Sequence, residues 1–365
     1  MKAKFLSFGV GFFVTAILAA TTALPAAETV SKKTFSVSNG SKLVVMADRG
    51  NIEVKTTESD KVNVEVTRKI DRLSDADAQK VFDEHQISFE QKASEVIVRG
   101  DFKTKKQTRT RDESRLQVNY RISIPKIFSV DLSTAGGAID VGDLKGELRV
   151  TTAAGNLKLG HIDGPVVGRT SGGGISIESA KTVEAKTSAG NIKIGEVGDV
   201  TAETSGGAIE IKSARGKIQA RTAAGNIELG SVDGETTAST SGGGIHVRKS
   251  SGTLSAKTSA GNLDLGEVNG SVQGETSGGG ITATFKQQPK SDCRLKTAAG
   301  NIRVTVPSDV TLDLDAATSA GTVSCDLPIT IQGKRKNDSL QGKINGGGPA
   351  LLLRTSGGSV AVGKS

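Results

Sequence analysis

At 365 residues the chain carries 46 glycines, one tyrosine and no tryptophan, so it lacks the large rings on which an ordinary globular core of this length is built. Its formal charge is +8, and +6 once Lys2 and Lys4 are set aside, which permits attraction to anionic envelope polymers. These values exclude a ring-rich core and require a fold whose interior is thin and repetitive. The chain opens with Lys2 and Lys4, an uncharged apolar run from Phe5 to Ala20, and small residues (Thr21, Thr22, Ala23, Ala26, Ala27) before Glu28. That layout predicts a secretory signal peptide over residues 1–27, cleaved between Ala23 and Glu28. The alternative is an uncleaved anchor, for which the run is short. No cysteine lies near the cleavage region, which excludes a lipid anchor there, and no second apolar stretch is long enough to span a membrane. The expected destination is the periplasm, the cell surface or the medium. Nucleic acid is not an expected partner in that compartment.

Residues 28–130 read as a β-rich N-terminal cap. Strand-like runs fall at Thr34–Val37, Lys42–Ala47, Asn51–Lys55, Lys61–Arg68, Glu95–Asp101 and Leu116–Ile124. Ser74 to His85 reads as one helix, with Ser74 as its cap and Asp75 and Asp77 in its first turn. Such a region would cover strand edges at the open end of a repeat. Within it, Lys103, Lys105, Lys106, Arg109, Arg111 and Arg115 stand against only Asp112 and Glu113. One reading is a solvated hairpin tip; the other is electrostatic contact with an anionic polymer or lipid headgroups, with Lys103, Lys105, Lys106, Arg109 and Arg111 as the binding candidates.

Residues 131–365 repeat. The motif Thr-[Ser/Ala]-[Ala/Gly]-Gly-x-[Ile/Leu/Val] recurs, and from Thr134 to Thr276 its threonines are spaced by 17 or 18 residues. A period this narrow predicts one solenoid turn per motif. Two and four residues after the second glycine come aliphatic pairs such as Ile192/Ile194 and Ile227/Leu229, a period-two pattern that predicts a strand with its apolar face inward. Seven before the glycine lies a second apolar column (Val166, Val183, Val200, Ile218), and five before it small residues (Ala185, Ala202, Ala220). Each rung therefore holds at least two short strands joined by a glycine-rich bend, whose glycines are expected to supply positive φ. Twelve rungs at roughly 4.8 Å would extend on the order of 58 Å. Asn follows the glycine on alternate rungs (Asn156, Asn191, Asn226, Asn262, Asn301), so the full repeat is two rungs. A phosphate-binding loop is excluded because no helix pattern and no Lys-Ser/Thr ending follow the glycines. Pro307 to Pro349 breaks the period, and Leu351, Leu353, Thr355, Val360 and Val362 restore it as a last rung.

With the TSGGGI/TAAGNI alternation, the strand ending Ile122–Lys126 and the segment Gly342–Gly358, the chain resembles the DUF4097 family of exported or envelope-linked bacterial proteins, named as candidate adhesins. The resemblance runs from about Phe35 to Val362. It implies a single-stranded, right-handed β-helix; with the N-terminal β-rich cap and its one helix read above, the expected fold is all-β.

The outward position three after the glycine reads Lys193, Glu210, Glu228, His246, Asp264 on successive rungs. Glu210 and Glu228, one rung apart, match the separation of a retaining glycosidase pair, and His246 with Asp264 extends the line toward a metal site. The competing reading is a solvated polar column, because no cleft-forming loop and no aromatic sugar platform accompany it. The threonine column suggests an ice-ordering ladder, but its parity is inward, so hydrogen bonding at the corner is expected instead. Calcium repeats need Asp after the glycines, where this chain has aliphatic residues. No cofactor and no metal are expected. Cys293 and Cys325, both at apolar columns in an oxidising compartment, are expected to form a disulfide, with buried free thiols as the alternative. The function expected is a non-enzymatic, adhesin-like envelope or surface module that binds an anionic envelope polymer or another envelope protein. The rivals are a carbohydrate-active enzyme on the outward column and an envelope-stress accessory protein.

Overall fold

The computed structural model describes residues 27–104, 109–331 and 336–365. The expected signal sequence, Ala27 apart, lies outside the described residues, as do Lys105 and Lys106. In chain order the N-terminal part comprises β1 (Ala27–Ser36), β2 (Lys42–Ala47), β3 (Asn51–Thr57), β4 (Lys61–Ile70), α1 (Asp75–Glu84), β5 (His85–Lys92), β6 (Glu95–Phe102), α2 (Arg111–Ser114), β7 (Gln117–Pro125), β8 (Ser129–Thr134) and β9 (Ile139–Val141). The Ser74 hydroxyl accepts from the Asp77 N–H at the start of α1, whose buried face is Ala78, Val81 and Phe82. The expected single helix is thus found. A second, α2, was not expected; it is started by a capping box between Thr110 and Glu113, a Thr-x-x-Glu signal present in the sequence.

From β8 onward each rung gives one segment to each of two walls. In the back wall Ile139, Leu157, Ile175, Ile192, Ile209, Ile227, Ile245 and Leu263 are successive parallel partners. In the front wall Val130, Leu148, Val166, Val183, Val200 and Ile218 are. All of these side chains are buried, as the period-two reading requires. The small column faces the large one: a Cβ on Gly274 would meet Leu263 Cδ1 at 3.3 Å and Leu265 Cδ1 at 3.7 Å across the core. Large residues of the back wall therefore fill the space that Ala and Gly leave in front, which makes the core thin and needs no rings.

The corner glycines correct one expectation. Of the second-glycine column, only Gly137 has positive φ among the described residues. The column is required for another reason: a Cβ on Gly155, Gly173 or Gly207 would stand 1.8–2.0 Å from the carbonyl oxygen of the glycine one rung below. Backbone lies directly on backbone at this corner.

Both ends depart from chain order. The β2–β3 rung pairs in parallel with β8–β9 on one side and with β6–β7 on the other. The solenoid thus continues into the N-terminal region, where antiparallel β5 seals the front edge and β4 and then β1 the back. At the far end the strands Ala350–Thr355 and Val360–Lys364 lie between the Cys293–Lys296/Ile302–Val306 rung and the Leu312–Thr318/Val323–Cys325 rung. The expected last rung is last in sequence only. In space it is inserted beneath a rung that precedes it.

Candidate functional site

The outward column of the back wall is assembled as its spacing predicts. Lys193, Glu210, Glu228, His246 and Asp264 are successive Cα partners. Lys193 Nζ lies 3.4 Å from Glu210 Oε2, and His246 Nδ1 lies 2.9 Å from Asp264 Oδ2. His246 and Asp264 keep 53% and 57% of their side-chain surface, so both stand open to solvent. Among the described residues no group of three or more His, Cys, Asp or Glu is placed to hold a metal ion. Five surface clefts among the described residues are lined by residues other than these five.

The threonine column is spent inside the fold. Thr222 Oγ1 donates to the Gly207 carbonyl one rung below at 2.8 Å and accepts from the Gly225 N–H at 3.3 Å. The same pair of bonds is made by Thr170, Thr187, Thr204, Thr240, Thr258 and Thr276. Those hydroxyls stitch rungs together and offer nothing to ice. The alternate Asn residues do related work on the surface. Asn156, Asn191, Asn226 and Asn262 each accept, through Oδ1, the next rung's N–H at 2.8–2.9 Å, which accounts for the two-rung repeat.

The basic segment divides. Lys103 and Arg111 are exposed, while Arg109 turns inward: its guanidinium lies 4.0 Å from the Phe102 ring centroid and 3.3 Å from Asp48 Oδ2. Arg109 is therefore an anchor and not free to reach a partner, because Phe102 and Asp48 hold it from both sides. Arg115 is likewise engaged, with Asp112 and the Arg72 carbonyl. Around Arg109 lies a polar cluster that no sequence spacing indicates, since it draws on separate elements. His85 is fully buried, with Nε2 3.2 Å from Asp48 Oδ1. Arg49 also lies over the Phe102 ring, and Arg68 donates to the Phe82 and His85 carbonyls. Burial pulls both of these guanidinium groups below their usual value and pushes the Tyr120 phenol up.

The expected disulfide is not formed: Cys293 and Cys325 are both free. Cys293 pairs with Leu351 on the front wall and Cys325 with Val362 on the back wall. The inserted rung separates them, so they stand roughly 9.6 Å apart along the stack, beyond disulfide reach. Burial pushes both thiols up.

The family model described as Toastrack DUF4097 matches residues 41–363. No curated protein matches the chain. Among solved structures, a candidate cell adhesion protein from Clostridium sporogenes is similar at 9% identity and a TM-score of 0.21, covering 93% of this chain and 100% of its own. A candidate adhesin from Parabacteroides merdae is 12% identical with a TM-score of 0.29, covering 92% and 96%. A candidate lipid-binding protein from Parabacteroides distasonis is 11% identical with a TM-score of 0.21, covering 92% and 96%.

Proposed function

The chain belongs to the DUF4097 (Toastrack) family, whose model spans residues 41–363, and from that premise we propose that it is a non-enzymatic, exported binding module of the cell envelope. The observation that carries this reading is the state of its ionisable groups. The outward column is open to solvent and partly paired across rungs, the buried polar groups are committed to closing the N-terminal end, and the threonine hydroxyls are satisfied internally. What the fold presents is a rigid rod with chemically patterned outer walls. Export rests on the Lys2/Lys4 start and the apolar run that follows.

The partner proposed for the N-terminal end is an anionic envelope polymer, met by Lys103, Lys105, Lys106 and Arg111. Arg109 contributes by fixing the segment on Phe102 and Asp48. Contact through exposed charges weakens as salt rises, since screening confines them to roughly 8 Å at physiological ionic strength. The test is binding of the mature protein to anionic cell-wall polymer across a salt series, beside a variant with Lys105, Lys106 and Arg111 changed to Ser and Arg109 kept. Salt-insensitive binding, or a variant that binds as the parent does, refutes the assignment. Cell fractionation with crosslinked partner capture tests the envelope location.

A further inference from the structure

The front wall carries an ordered line of cations beside the glycine-rich corner. Lys186, Arg221, Lys257 and Lys296 occupy one column on every second rung, and Glu203, Ser239 and Glu275 fill the rungs between. These cations precede the corners that carry Asn191, Asn226, Asn262 and Asn301, so they follow the two-rung repeat. Two rungs place them roughly 9.6 Å apart on a straight line.

Charge balancing alone does not explain the column. Lys186 pairs with Glu203 at 3.2 Å and Lys257 with Glu275 at 3.3 Å, which is ordinary cross-strand pairing. Yet Ser239 stands where an acid would continue the alternation, and Arg221 and Lys296 have no carboxylate partner among the described residues. The flanking columns leave the excess uncompensated. On the wall side they read Glu184, Thr201, Gln219, Thr237, Ser255, Gln273 and Arg294, where the single acid, Glu184, is shared between Arg169 (2.7 Å) and Lys186 (3.5 Å). On the corner side are exposed Ser188, Ser205, Ser241 and Ser259. A groove of about 700 Å³ joins Arg169, Lys186 and Arg221 to Ser171, Ser188 and Ser205.

We propose that this stripe binds a linear anionic polysaccharide lying along the solenoid axis, with one acidic group per disaccharide set opposite each cation. Hydroxyl and amide side chains on both flanks suit a polyhydroxylated chain. They do not suit a bilayer, because among the described residues the exposed large apolar ones (Val30, Met46 and Ile127) lie in the N-terminal region and none on the stripe. The proposal rests on the reading of the chain as a binding module, but its site is separate from the Lys103–Arg111 segment.

The test uses the mature protein with hyaluronan, a linear polymer bearing one carboxylate per disaccharide, against neutral dextran and anionic phosphatidylglycerol vesicles. A stripe variant (Arg221→Gln, Lys257→Gln, Lys296→Gln) is compared with a back-wall variant of equal charge change (Lys158→Gln, Lys193→Gln, Lys212→Gln). All six side chains are exposed, so both variants are expected to keep the parent's circular dichroism and melting. The parent binds hyaluronan and neither dextran nor vesicles; the stripe variant binds roughly tenfold more weakly and the back-wall variant within about twofold of the parent. Equal weakening of both variants reduces the effect to net charge and overturns the proposal. So does a parent that ignores hyaluronan, or one that binds dextran or vesicles as well. The Lys105/Lys106/Arg111 variant keeps its stripe, so its own result is decided independently.

Discussion

Substituting Gly207 by Ala tests the physical basis of the stacked corner. A Cβ at this position would lie 2.0 Å from the Gly190 carbonyl oxygen and 2.4 Å from its carbon. To reach an ordinary contact the two rungs must part by about 1 Å in a stack whose spacing is roughly 4.8 Å. Overpacking of this kind costs about 1–3 kcal/mol. The same displacement stretches the Thr204 hydroxyl bond to the Gly190 carbonyl across the two rungs (2.9 Å), at about 1 kcal/mol, while the Gly207 N–H bond to Thr204 lies within one rung and is kept. The expected destabilisation is therefore about 2–4 kcal/mol. Gly206 is the internal control: it is exposed, and an added Cβ meets nothing nearer than 3.6 Å. Gly206→Ala should be neutral, or stabilising by about 0.4–1 kcal/mol through the unfolded chain. Urea denaturation of the mature protein measures the pair. Hydrogen exchange on the neighbouring rungs accompanies it, because a solenoid need not unfold in one step. If the two variants are equally stable, close backbone approach is not what the column is for.

Other outcomes follow from the same geometry. Thr222→Val keeps the shape but orphans the Gly207 carbonyl and the Gly225 N–H, and should cost about 2–4 kcal/mol, whereas Thr222→Ser should cost far less; equal stability of the two would mean the hydroxyl ladder is idle. Ile192→Asp places a charge in the core and should cost more than about 4 kcal/mol, with Lys193→Ser within about 0.5 kcal/mol, and comparable losses would show the register to be wrong. Denatured, unreduced protein should label two thiols per chain, since Cys293 and Cys325 are free; none labelled would establish a bridge. The hydrogen bond from Arg169, with Lys186 nearby, holds the Glu184 carboxyl below its ordinary value. That contribution is present above the unfolded carboxylate range and is lost as pH falls through the lower folded value. Arg169→Gln should therefore flatten the acid side of the stability profile, and a variant with the parent's pH dependence would remove Arg169 as the cause.

The body of the solenoid was legible in the residues because every rung meets the same neighbours. An 18-residue period with aliphatic residues two and four after a glycine leaves one inward register, so Ile192, Ile209 and Ile227 align without knowledge of the fold. The inward parity of the threonines and the order of the column from Lys193 to Asp264 follow from the same periodicity. The position of α1 was legible too, since Ser74, Asp75 and Asp77 act within one turn.

The rest depends on contacts between residues far apart in the chain. Nothing local to Leu351–Val362 says that this rung enters beneath Leu312–Cys325, because any rung edge offers the same backbone donors and acceptors. That insertion is also what holds Cys293 and Cys325 apart. Arg109 looks like its basic neighbours until Phe102 and Asp48, supplied by other strands, turn it inward. The sequence by itself determined the rung, since a rung is a local pattern repeated. Only the tertiary structure decided how the ends close and which charges stay outside, since those follow from which surfaces meet once the rungs have formed.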